Sequence, residues 1–103
     1  MIKIQNIKDL EPFKEGLNAL KLFSDEQIEM IHITLKPQER IELHKNSIDV
    51  IFFVLSGKAK LTVENDSELV EKGSCVEVKK NLDRSWVNIG IDHFSVLAIK
   101  KMK

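Results

Sequence analysis

Residues 35–57 read L-K-P-Q-E-R-I-E-L-H-K-N-S-I-D-V-I-F-F-V-L-S-G, and this stretch decides the fold. Pro37 has no N–H to give to a ladder, so it ends the strand that precedes it. A short strand then runs to His44, a polar link follows, and Val50–Leu55 is apolar at every position before Ser56-Gly57 closes it. A continuous apolar run of that length needs cover on both faces. Val50, Phe52 and Val54 form one set, assigned to the interior. Ile51, Phe53 and Leu55 form the outward set and need a lid, either the N-terminal segment or a second subunit.

Outward from this stretch the same short-strand rhythm repeats. Upstream, Ile31, Ile33 and Leu35 alternate with Met30, His32 and Thr34. Leu17–Phe23 is an apolar segment ended by Ser24-Asp25, and its spacing also suits a short helix. Ile2, Ile4 and Ile7 alternate with polar residues, which predicts an N-terminal strand. Downstream, Ala59, Leu61 and Val63 alternate with polar residues, and Asn65-Asp66-Ser67 reads as a hairpin loop. Leu69-Val70, Val76/Val78, Trp86–Ile89 and Phe94–Ile99 complete the series. Many short strands without a long helical period mean an all-β sandwich or barrel, here a jelly roll. One domain over 1–103 is expected, with N-terminal strands or an arm over 1–28 and the barrel over 29–100.

Bulk composition narrows the function classes. The 103 residues carry 16 basic and 16 acidic side chains, a balance that argues against a nucleic-acid or acidic-membrane surface. The single cysteine, Cys75, excludes an intrachain disulfide, and neither a signal-like nor a membrane-spanning run occurs, so the cytoplasm is the expected compartment. Cys75 alternates with Val76 and Val78 and reads as inert.

The turn glycines, strand spacing and His44 together resemble the cupins, small double-stranded β-helix (jelly-roll) barrels of the RmlC-like kind. The resemblance covers about Glu29 to Lys100. In the first cupin signature, the opening Gly position holds Gln38, the first metal-binding His is present as His44, and the second is Asn46. The metal-binding Glu position holds Val50, and the closing Gly is present as Gly57. In the second signature Gly73 is present, the Pro-x-Gly turn is replaced by Lys79-Lys80-Asn81, the metal-binding His is Arg84, and the terminal Asn is matched by Asn88.

These replacements dismantle a metal site. A catalytic first-row metal needs about three protein ligands and an open position. Val50 has no donor atom, Arg84 is a permanent cation, and Asn46 is a neutral amide. No resident cofactor is expected, and His44 is the weak candidate if a divalent transition metal binds after all.

The family geometry implies a pocket where His44, Asn46 and Arg84 converge, lined by Phe52 and Trp86, with Asn88 on the strand of Arg84. A guanidinium, an imidazole and an amide in an apolar cup suit a small carboxylate or phosphate-bearing metabolite. The expected function is therefore a metal-free binding module, with a sensor role open and no catalysis required. The alternative is a small metal-dependent cupin enzyme, a dioxygenase or isomerase, with non-standard ligands in which Glu42 or His93 turns inward beside His44. A metal-free epimerase with His44 as base is a third reading, lowered by the absence of any tyrosine. His32 is expected outward and Trp86 in the core. A homodimer through the Ile51, Phe53 and Leu55 face is the expected assembly.

Overall fold

The computed structural model describes residues 1–102, without the side chain of Leu43. Nine strands follow in chain order: β1 Asn18–Ser24, β2 Ile28–Leu35, β3 Arg40–His44, β4 Val50–Ser56, β5 Lys58–Val63, β6 Asp66–Glu71, β7 Cys75–Val78, β8 Arg84–Val87 and β9 Phe94–Lys101. They form two antiparallel sheets, one ordered β1-β2-β9-β4-β7 and the other β3-β8-β5-β6. Closing the sheets face to face gives the jelly roll expected from the strand rhythm.

The apolar strand β4 lies between β9 and β7, so both of its edges are hydrogen-bonded. Val50, Phe52 and Val54 are buried inside, whereas Phe53 and Leu55 stay 40% and 38% exposed. Cross-strand register stacks the interior in levels. Leu35 pairs with Phe94, and above them Ile33, Val96 and Val54 align. Next come Ile31, Ala98, Phe52 and Val76, then Glu29, Lys100, Val50 and Val78 at the open end. In the opposite sheet Ile41, Trp86 and Leu61 form one level, and His44, Arg84 and Val63 form the level above it. Trp86 ties the sheets together, with its ring 5.3 Å from those of Phe52 and Phe94.

The far end is sealed by a polar clamp. The Asn88 amide donates to the carbonyls of Leu35 and Asp92, 2.9 and 2.8 Å away, and its oxygen accepts from the Gly90 N–H. Near the same end Gly57 turns the chain at φ 78°, where a Cβ would come within 2.6 Å of the His93 carbonyl oxygen. Gln38 keeps a left-handed backbone, φ 72°, at the position where the family places glycine. The turn geometry has outlasted the residue that adopts it without strain.

Two sequence expectations change. Residues 1–6 form no strand, and only a single 3-10 turn, Ile7–Asp9, precedes β1. A strand requires a ladder partner, and the arm pairs with nothing here, leaving Ile2 and Ile4 85% and 86% exposed. The arm therefore does not cover the outer face of β4. The β5–β6 hairpin is also tighter than expected: Val63 pairs with Asp66, so the loop is Glu64-Asn65 and Ser67 belongs to the strand. Leu17–Phe23 resolves as strand rather than helix because β2 offers it an edge.

That outer face carries one ring in an awkward place. Leu20, His32, Leu97, Phe53 and Cys75 line up across all five strands. His32 Nδ1 is buried with no partner among the described residues, and burial lowers the imidazole pKa, with its own backbone opposing. The folded protein thus resists a proton that the unfolded chain accepts near 6.5. Unfolded chains bind more protons as pH falls through that value, so stability drops on acidification. Urea unfolding midpoints should fall from pH 7.5 to pH 5.5, and His32→Leu should lose this component. Equal midpoint shifts in both proteins would show that His32 does not carry the effect.

Candidate functional site

A cavity of about 280 Å³ opens at the Glu29–Lys100 end of the barrel. Its wall is apolar at the level of Ile31, Ala98, Phe52, Trp86 and Ile41, and Ala19 and Ile33 border it from β1 and β2. Around the rim stand Lys14, His44, Lys45, Asn46, Arg84 and Lys100. No aspartate or glutamate lines it.

Local folding explains how each rim residue arrives. The β3–β8 register slips between Ile41 and His44, so the bulged strand turns both residues toward the cavity although their spacing is odd. His44 is exposed at the mouth, and its Nδ1 lies 3.0 Å from the Glu42 carbonyl oxygen, the geometry of a donating N–H. Asn46 follows in the link to β4, and its carbonyl accepts from the Asn81 N–H at 2.7 Å. Phe13, Lys14 and Leu17 come from the segment before β1, held there by the Phe13 N–H on the Ala19 carbonyl and by Lys21 over the Phe13 ring. Lys100 shares Glu29 with Lys21, at 3.5 Å each, so its charge is partly offset.

Arg84 is the exceptional group. It is 1% exposed, and no carboxylate pairs with it among the described residues. Nε donates to the Leu82 carbonyl at 3.0 Å and Nη2 to the Lys79 carbonyl at 3.3 Å, while Nη1 is buried without an acceptor. Burial lowers its pKa, and the adjacent Asp83 opposes that shift; an arginine so placed remains a cation at neutral pH. One level deeper, the Trp86 indole N–H is also buried and unpaired.

The six residues picked out in the sequence do not share one role. His44, Asn46, Arg84, Phe52 and Trp86 all border the cavity. Asn88 does not: its amide is consumed by the clamp at the opposite end, so it is structural. Sequence reading missed Lys100, although strand alternation from Ala98 places it inward. It also missed Phe13, Lys14 and Leu17, for which no local pattern exists.

The residues at the positions that hold metal in the resembling family are poor ligands here. Val50 contributes only methyl groups, and Arg84 brings a fixed positive charge to the level where a cation would lie. Glu42 and His93 are exposed and neither lines the cavity. Among the described residues no three His, Cys, Asp or Glu side chains come close enough to hold an ion.

Comparison with known proteins agrees with the architecture. The family model described as Cupin domain matches residues 31–100. The structure is similar to that of an RmlC-like cupin from Shewanella frigidimarina, at a TM-score of 0.85 and 12% identity, covering 100% of this chain and 93% of that one. It is also similar to an RmlC-like cupin family protein with a double-stranded β-helix fold from Methanocaldococcus jannaschii, at TM-score 0.82 and 22% identity over 98% and 92% of the two chains. The polyketide cyclase RemF from Streptomyces resistomycificus aligns at TM-score 0.82 and 14% identity, over 100% and 81%. At these identities the likeness is one of fold. A sequence search of curated proteins finds no match. No helix among the described residues is long and apolar enough to cross a membrane.

A buried cation without a partner costs stability, and a flexible apolar side chain of similar length avoids that cost. Arg84→Met should therefore fold with stability unchanged or raised by up to roughly 2 kcal/mol, because the lost bonds to two carbonyls offset part of the gain. Thermal or urea unfolding measures it. A loss of several kcal/mol would mean that Arg84 is a structural keystone rather than a group kept for a ligand.

Proposed function

This chain belongs to the cupin family, and from that premise we propose that it is a metal-free module whose barrel accepts a small anionic metabolite. The observation that carries this reading is Arg84, a buried guanidinium with an unpaired Nη1 in a cavity whose rim holds lysines and His44 but no acid. A carboxylate or phosphate oxygen supplies both the missing acceptor and the missing countercharge. The cavity volume is near the lower end of the roughly 300–1,000 Å³ usual for small-molecule sites, which favours a compact ligand.

The rim chemistry favours binding over turnover. His44 is the one imidazole bordering the cavity, and the described residues give it no orienting carboxylate. A sensor role then requires that occupancy be read by another protein. Anion binding should be detectable by calorimetry in the wild-type protein and be at least tenfold weaker in Arg84→Met, a variant expected to fold. Equal affinity in the two proteins would remove Arg84 from the site. Stoichiometric transition metal in untagged protein would favour the metal-dependent cupin enzyme instead.

The assembly we infer is a homodimer. Leu20, His32, Leu97 and Phe53 align across the outer side of the five-stranded sheet, and Phe53 and Leu55 there stay 40% and 38% exposed. An apolar face of this kind on a soluble chain favours an identical partner, since a two-fold axis covers both copies at once. In sedimentation or light scattering, Phe53→Asp should shift the protein to monomer or make it insoluble. A well-behaved dimer carrying Asp at that position would put the interface elsewhere.

A further inference from the structure

The levels inside the barrel separate charge from apolar surface more sharply than an unspecified anion site requires. Toward the mouth stand Lys100, Lys45 and His44, and the buried Arg84 lies on the level of His44. One level down, Ile31, Ala98, Phe52, Ile41 and Trp86 present hydrocarbon and aromatic surface, with the Trp86 indole N–H as the polar exception. The floor beneath is Leu35, Phe94, Val96 and Val54, all buried. From this gradient we infer that the ligand is an amphipathic monocarboxylate, inserted with its apolar body toward Trp86 and its carboxylate at Arg84. The inference rests on the anion-binding reading above and narrows it to one chemical class.

Four observations select this class. Two of the five guanidinium N–H groups of Arg84 go to the Leu82 and Lys79 carbonyls, and Nη1 is the nitrogen left without a partner. One guanidinium balances the single charge of a carboxylate, whereas a phosphate dianion asks for a second cation. Lys100 is already shared with Glu29, which limits the positive charge available to a doubly charged head. A sugar-like ligand would require several polar groups in the wall, and the level below Arg84 supplies hydrocarbon and one indole N–H. At about 280 Å³ the cavity suits a compact ligand, for which a six-carbon carboxylate serves as the probe.

The sole tryptophan of the chain, Trp86, forms part of the wall and reports occupancy by its fluorescence. The full chain would be titrated with acetate, butanoate, hexanoate, inorganic phosphate and hexan-1-ol. The dissociation constant should fall about fourfold for each methylene added between acetate and hexanoate. Hexanol, which lacks the charge, should bind at least tenfold more weakly than hexanoate. Arg84→Met should lose hexanoate binding at least tenfold. Should that variant fail to fold, Lys45→Glu, at an exposed rim position, should still weaken hexanoate severalfold. A flat chain-length series, or phosphate bound more tightly than hexanoate, overturns the amphipathic ligand while leaving the anion pocket standing. Hexanoate affinity untouched by either substitution places binding outside this cavity and also overturns it. No response to any of the anions, by fluorescence or calorimetry, removes both readings.

Discussion

Strand β4 is apolar on both faces, and most of the architecture follows from that constraint. A strand of this kind cannot sit at an edge, so β9 and β7 flank it and the five-stranded sheet grows around it. Its inner set, Val50, Phe52 and Val54, meets Trp86 from the second sheet and sets the spacing of the barrel. Of its outer set, Phe53 and Leu55 stay 40% and 38% exposed. One strand thus sets both the closed core and the apolar patch on the outside of the sheet.

The cavity reflects a second constraint, the cost of an unpaired buried cation. Removing a guanidinium from water is expensive, and two backbone carbonyls do not repay it as a carboxylate would. Nothing in the fold requires the charge, because the sheets close through Trp86, Phe52, Phe94 and the Asn88 clamp. A group that the fold does not need and that strains stability is the kind of feature binding sites retain. Val50 and Arg84 both border the cavity, where methyl groups offer no donor atom and a fixed cation disfavours a second one.

Much of this was legible along the chain. Alternation marked the two faces of β2, β4 and β5, because a two-residue period survives whatever the strand pairs with. His44, Asn46, Arg84, Phe52 and Trp86 reached the cavity because turn glycines and strand lengths fix the register around them. Ile2 and Ile4 misled for the opposite reason. They carry the strand period, but a strand exists only where a neighbour accepts its hydrogen bonds, and local pattern holds no information about neighbours.

What the sequence determined by itself was the all-β barrel and the inward row of β4, which are properties of residue type and spacing. That Val50, Asn46 and Arg84 stand at metal-binding positions is what the resemblance to the cupins implies. The tertiary structure alone decided that Asn88 clamps the closed end rather than facing a ligand, and that Arg84 is sealed inside without a carboxylate. It alone brought Lys14 and Lys100, far apart in the chain, to the same rim. Partners and burial arise from contacts between distant segments, and those exist only once the sheets have closed on each other.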